Sequence, residues 1–376
     1  MTQRKLFPIA SYCSSRGWGG LEMNVSRFLH WMQDRGWPVY LYADPDSGIM
    51  SQAAKMGLTA RPFPKPSEVS ALWQSHSLAK MALADGVRVL ILHQSPDTLV
   101  CSLAKRWSRD RINLAFSQNM HLGNKRDLIH AWQYRTIDAF VSPLPILAEQ
   151  AKRQTVVPPE KIYVIPHGIE LEQFTHRLDR AEARRALNLP PDATIIGIIG
   201  RLDPKKAQHI GIRALARLHK RGLRPHLLIV GDSTIGEGDN YRLNLEKLVA
   251  ESGLTEFVHF RPYQEWPELA YAAMDIFVLT SQSETYGLVT IEAMTSGLPV
   301  IGTDSGGTID IIDHERTGLR YAPDDDSALA EALMRFLTDP ALASKLAAQG
   351  KQDALAKYSH TKQCESWEQL LRTITR

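Results

Sequence analysis

Short, almost wholly apolar runs that alternate with helix-period segments constrain this chain more than any other feature. Val87–Leu92, Ala139–Val141, Ile162–Ile165, Ile195–Ile199 and Leu227–Val230 are too short for buried helices, and turn residues bound them. A strand apolar on both sides has to be covered on both sides, and a parallel sheet with crossover helices does this. The predicted class is therefore α/β. At 376 residues the chain is ample for two such cores. The junction is expected between Pro166 and Leu189, where His167-Gly168 interrupts a strand and a polar stretch leads to Asn188-Leu189-Pro190-Pro191, giving domains 1–168 and 169–361. Helices are expected at Asp325–Leu337, Pro340–Tyr358 and Ser366–Ile374.

Within the second half, Ser283-Glu284-Thr285-Tyr286-Gly287-Leu288-Val289-Thr290-Ile291-Glu292-Ala293-Met294 carries chemistry. Leu288, Ile291 and Met294 recur at helical spacing, Gly287 opens the helix, and the carboxylates of Glu284 and Glu292 stand eight positions apart. The first turn of a helix has N–H groups without intrahelical partners, which suit a phosphate, while the acids suit hydroxyls. A nucleotide-sugar is both anionic and polyhydroxylated. An acid pair alone is commonly an ordinary surface pair, so the reading needs support elsewhere.

Two further segments supply it. Ile195–Ile199 reads as a buried strand that runs into Gly200-Arg201-Leu202-Asp203-Pro204-Lys205-Lys206. In an open parallel sheet the carboxyl ends of strands form the ligand crevice, so Arg201 and Lys206 there suit a diphosphate. Near the start, Arg16-Gly17-Trp18-Gly19-Gly20-Leu21-Glu22 lies between an apolar stretch and the helical pattern of Val25, Phe28, Leu29 and Met32. Glycines at such a turn let backbone approach phosphate closely. The run lacks the G-x-G-x-x-G spacing, which disfavours a dehydrogenase.

Taken in order, these pieces resemble the retaining glycosyltransferases of family 4 (glycosyl transferases group 1), with Arg35-Gly36-Trp37-Pro38-Val39, Val230-Gly231-Asp232, Ala273–Leu279, Ser296–Ile301, Gly306-Gly307 and Thr317-Gly318-Leu319 completing the pattern. The resemblance implies the GT-B fold: two Rossmann-like domains with parallel sheets facing across a cleft, the first for the acceptor and the second for the donor. It also implies a terminal helix, residues 362–376, packing back on the first domain. Residue by residue it implies Arg201 and Lys206 on the diphosphate, Glu292 on the ribose, and Glu284 on the donor sugar. Tyr286, Gly287, Leu288 and Val289 would line the donor site, with Gly19 and Gly20 approaching from the first domain. A histidine near the reacting sugar is expected from Leu92-His93-Gln94 or from Ser117–Gly123, with His121 preferred. Ala207 and His167 stand where the family often has glycine and asparagine. The implied reaction moves a hexose or related sugar, with retention, from a UDP or GDP donor to a saccharide or lipid-linked acceptor, as in cell-surface polysaccharide, lipopolysaccharide or glycolipid synthesis. No metal or other cofactor is expected. A sugar-nucleotide epimerase, a phosphorylase or a non-catalytic nucleotide-sugar binder would reuse the same scaffold.

Cys13, Cys101 and Cys364 are widely spaced and odd in number, which favours a reducing compartment. Met1–Lys5 passes into a strand without an apolar leader and no run has membrane-spanning length, so a cytoplasmic location is expected. Through Gly168 there are 20 Lys and Arg against 12 Asp and Glu, a balance of +8, and the remainder has 24 against 29, or −5. Trp107 among the cations of Leu103–Arg111 suggests peripheral contact with an anionic membrane. Nucleic acid is not expected, because no binding module is present and the charge is not gathered into one run.

Overall fold

In the computed structural model, residues 6–67, 70–175, 178–233, 240–264 and 266–375 are described. Met1–Lys5 and residues 68–69 of the expected acceptor loop lie outside them. The chain forms two compact units, one running up to Gly168 and taking in the stretch from His360 onward, the other comprising Ile169–Ser359.

The first unit holds β1 (Ile9–Cys13), β2 (Val39–Ala43), β3 (Ala60–Pro62), β4 (Val89–Leu92), β5 (Asn113–Ser117), β6 (Ala139–Ser142) and β7 (Ile162–Val164). They form one parallel sheet in the order β3-β2-β1-β4-β5-β6-β7. Successive residues of β1 serve opposite faces, as the pleat requires. Ile9 and Cys13 join Val25, Phe28, Ile49 and Trp367 on one side. Ala10 and Tyr12 join Leu78, Ala82, Val100, Ala104 and Tyr134 on the other. The helix His360–Ile374 belongs to the first of these faces: Trp367 meets Phe28 at 5.1 Å, Glu368 accepts from Arg35 at 2.7 Å and from Trp37 at 3.2 Å, and Gln363 accepts the Gly168 N–H at 2.7 Å.

The second unit holds β8 (Ile195–Ile199), β9 (His226–Val230), β10 (Val258–Arg261), β11 (Ile276–Val278), β12 (Val300–Thr303) and β13 (Leu319–Tyr321). They pair in parallel in the order β10-β9-β8-β11-β12-β13. This is the doubly wound order, whose strand sequence reverses between β8 and β11. Both units are Rossmann-like, as the family resemblance implies, and their parallel sheets are those that the alternation of apolar strands and helical segments predicts. Helices Asp326–Thr338 and Pro340–Lys357 follow β13 close to their expected limits.

The polar stretch after Gly168 contains two short helices, Leu171–Thr175 and Arg180–Ala186. Arg184 explains the second: its buried guanidinium donates to the Ala273 carbonyl at 3.1 Å and to Asp275 at 2.7 Å, so a charged residue docks the helix onto the rest of the second unit.

Candidate functional site

In the second unit the loops leaving β8 and β11 emerge side by side where the strand order reverses, the place at which open α/β sheets bind ligands. Backbone bonds shape the first loop: Gly200 N–H donates to the Val230 carbonyl and Leu202 N–H to that of Asp232, both at 2.9 Å. The approach is so close that a Cβ on Gly231 would lie 2.1 Å from the Gly200 oxygen, and Gly231 has φ +149°, so glycine is required. Gln208, wholly buried, donates to the Arg201 carbonyl at 2.7 Å. Arg201 projects outward with its side chain 61% exposed, and its guanidinium lies 3.9 Å from Asp203.

Bonds between the two loops set the position of Lys206. Thr280 Oγ1 donates to the Lys206 carbonyl at 2.6 Å, and Gln282 N–H donates to the Lys205 carbonyl at 3.0 Å. With its backbone held on both sides, Lys206 brings Nζ to 2.6 Å from Glu284 Oε2, which also accepts from Ser281 Oγ at 3.0 Å. Ala207, next in sequence, takes a left-handed conformation at φ 50°, which explains why glycine suits this position; alanine there costs about 1 kcal/mol.

The turn carrying Glu284 is clasped from the loop after β12. Gly307 N–H donates to the Glu284 carbonyl at 2.7 Å, and a Cβ on Gly306 would lie 2.4 Å from that oxygen. Gly287, at φ 84°, turns the chain into the helix Leu288–Thr295, as the spacing predicts. Leu288 and Val289 occupy its first turn, half-buried. Tyr286 is turned into the core, edge-on to Tyr358 at 6.5 Å.

Glu292 is buried one turn into that helix, and its Oε2 accepts the Tyr271 hydroxyl at 2.7 Å. The same hydroxyl lies 3.1 Å from the Val289 carbonyl. Burial, reinforced by the Glu292 charge, raises the Tyr271 phenol far above its ordinary pKa, so it remains a donor. Sequence reasoning passed over Tyr271, because a tyrosine on the buried stripe of a short helix reads as core.

In the first unit the strand order reverses between β1 and β4. Gly19 N–H donates to Glu22 Oε2 at 2.9 Å, so this amide is committed within its own turn. Gly20 is exposed, and a Cβ there would meet nothing within 4 Å. Beside this turn Ser14 Oγ donates to Asp97 Oδ1 at 2.5 Å, and burial lifts the Asp97 carboxyl to about 6. Neither Ser14 nor Asp97 carried a sequence signal.

The two histidine segments part company. His93, at the end of β4, is buried and 3.1 Å from Ser11 Oγ, with Asn119 Nδ2 at 3.5 Å from its other nitrogen. Burial pushes the His93 imidazole down to about 3, which keeps it neutral. His121 is exposed on the loop after β5, one strand further along. Lys105 also departs from the picture of an exposed basic stretch: its ammonium is buried against Asp138 at 2.5 Å and the Thr136 carbonyl at 3.1 Å.

Cys13, Cys101 and Cys364 are free and buried. Among the described residues no helix is long and apolar enough to cross a membrane.

Each half of the chain matches a known family. Residues 18–173 match the family described as Glycosyltransferase Family 4, and residues 179–353 match Glycosyl transferases group 1. The D-inositol 3-phosphate glycosyltransferase of Stackebrandtia nassauensis is 37% identical over 213 residues, which are 54% of this chain and 47% of that protein. The chain thus spans about half the length of the curated relatives it matches. The Anabaena protein HepE, solved with UDP and glucose, superposes with a TM-score of 0.84 at 19% identity over 97% of this chain and 99% of that one. A glycosyltransferase from Rickettsia africae superposes with a TM-score of 0.90 at 17% identity, covering 99% and 100%. Each half of the chain thus matches one glycosyltransferase family along most of its length, family 4 in the first and group 1 in the second, and the fold is the GT-B fold throughout.

Proposed function

We propose that this chain transfers a sugar from a nucleotide-diphosphate donor to an acceptor hydroxyl, with retention at the anomeric carbon. The observation that carries the reading is the Lys206–Glu284 pair at 2.6 Å, two opposite charges held at the carboxyl end of the sheet where the strand order reverses. Without ligand they satisfy each other. A diphosphate would draw the ammonium to itself and leave the carboxylate to hydrogen-bond sugar hydroxyls.

Negative charge develops on the departing diphosphate as the glycosidic bond breaks. Lys206, Arg201 and the N–H groups of Gly287, Leu288 and Val289 supply pre-positioned positive potential for it, the kind of electrostatic stabilisation that usually dominates such steps. Glu292 addresses the ribose, held by Tyr271. The family resemblance assigns Gly20 to the diphosphate and His121 to the donor sugar or the acceptor. The donor's own phosphate oxygen takes the acceptor proton on the face from which the leaving group departs. Support for a UDP donor comes from HepE, solved with UDP and UDP-glucose, and a GDP donor is the alternative. The names of the relatives bring a phosphorylated cyclitol into the acceptor class, beside saccharides and lipid-linked sugars. Three free cysteines suit a reducing, cytoplasmic location.

The test is release of nucleoside diphosphate from a panel of UDP- and GDP-sugars, with and without acceptors, followed by the anomeric configuration of the product. Release that depends on an acceptor, with configuration retained, supports the reading. Conversion of the donor's sugar without an acceptor would point to an epimerase, and an inverted product would remove retention.

A further inference from the structure

Helices Ala71–Ala84, Thr98–Trp107, Leu128–Arg135 and Pro145–Gln154 cover one face of the first unit's sheet; no Asp or Glu occurs within the first three, and the fourth carries Glu149, paired with Lys152 at 2.6 Å. The opposite face has ordinary mixed charge, with Glu22 and Asp34 on the helix Gly20–Asp34 and Glu365 and Glu368 on the helix His360–Ile374. On the first two of these helices large apolar side chains point into solvent: Leu72 is 61% exposed, Trp73 81% and Trp107 55%. They are contiguous. His76 lies one turn after Leu72 and Trp73 and meets the Trp107 ring edge-on at 5.2 Å, joining the two helices. Lys80, one turn further, and Arg106, beside Trp107, are exposed. Nearby acids do not offset these cations equally: Asp85 is taken up by Arg61 and Tyr42, Asp97 is buried on Ser14, and Asp110 stands in the turn after Trp107.

We propose that this face, centred on Trp73 and Trp107 with Lys80 and Arg106, docks on an anionic lipid bilayer. Tryptophan prefers the headgroup level because its ring is apolar and its N–H polar, and cations are drawn to the same depth by negative surface potential. An apolar protein partner would account for the tryptophans but not for the absence of acids across three helices. Lys105, turned inward onto Asp138, contributes nothing to the contact. The proposal deepens the reading of a lipid-linked acceptor and rests on it for the purpose of the contact, although the contact itself is independent of catalysis.

Sedimentation of the full chain with vesicles of phosphatidylcholine, alone or mixed with phosphatidylglycerol, tests it. The protein is expected to pellet with the mixed vesicles and to stay in solution with the neutral ones. Trp73→Ala with Trp107→Ala should lower partitioning at least tenfold. Lys80→Glu with Arg106→Glu should lower it more than twentyfold, since each cation near an anionic surface is worth about fivefold. Equal binding to both vesicle types, or unchanged binding by both double variants, would overturn the proposal. So would a tryptophan-dependent dimer seen by light scattering in a protein that ignores both vesicle types. UDP-induced thermal shifts, measured on the same samples, are expected to be unchanged in the variants. Their absence from the unaltered protein would count against a UDP donor and leave the bilayer result standing.

Discussion

Tyr271 donates to Glu292 at 2.7 Å inside the second unit, so a residue without charge or exposure sets the direction of a carboxylate assigned to ribose. Replacing Tyr271 by phenylalanine leaves the shape of the core and removes the hydrogen. The expected outcome is a nucleotide affinity about tenfold weaker and a stability loss of about 1–2 kcal/mol, from the loss of one hydrogen bond to a buried carboxylate. Titration calorimetry with UDP and GDP checks the first, and urea unfolding the second. Unchanged affinity would separate Glu292 from nucleotide binding.

Lys206→Met should lower kcat/KM by about a hundredfold to a thousandfold, the usual loss when one pre-positioned positive group is removed from developing negative charge. Both partners of the Lys206–Glu284 pair are partly exposed, so the fold should lose less than about 1 kcal/mol. A folded Lys206→Met variant with full activity would contradict the assigned role.

Gly20 and Gly306 make opposite predictions. A Cβ on Gly20 meets no protein atom within 4 Å, so Gly20→Ala should be neutral for stability and harmful to turnover where a diphosphate lies against that backbone. A Cβ on Gly306 would strike the Glu284 carbonyl at 2.4 Å from a backbone at φ +54°, so Gly306→Ala should cost about 2 kcal/mol or more. Thermal unfolding and steady-state kinetics on the pair separate ligand approach from fold.

Acidification should destabilise the protein before its carboxylates titrate. Burial lowers His93 to about 3 and His167 to about 4, so the unfolded chain takes up protons near pH 6.5 while the folded chain does not. Stability is then full above about pH 6.5 and falls as pH drops toward 4. Asp97, raised to about 6, works the other way, because below that pH the folded form holds a proton the unfolded chain lacks. His93 and His167 against Asp97 leave a net loss on the order of 3 kcal/mol by pH 5, and half-buried His259, lowered to about 4, acts in the same direction. Urea unfolding at pH 7.5 and pH 5 measures it, and His93→Gln should flatten the slope.

Much of the architecture was legible because it rests on local pattern. Runs such as Ile195–Ile199 can only be covered strands, and Gly287 with Leu288, Ile291 and Met294 marks a helix start from four letters. Lys206 and Glu284 were readable as ligands for one molecule but not as partners for each other, since their meeting depends on Thr280 and Gln282 bonding across two loops. His93 and His121 show the limit most clearly. Each follows a strand, and only the sheet order reveals that one is enclosed beside Ser11 while the other stands in solvent. Lys105 and Arg184 were lost for the same reason, because a cation's burial is decided by acceptors such as Asp138 and Asp275 that lie far away in sequence.

The return of the last helix has a practical corollary for anyone dividing this protein. A fragment ending at Gly168 would strip Trp367, Leu370 and Leu371 from beneath Phe28 and Val25, baring an apolar trough. Excising the first unit intact requires a graft, joining Gly168 to His360 through a short linker, whereas the stretch from Ile169 to Ser359 is continuous and can be produced from one uninterrupted reading frame.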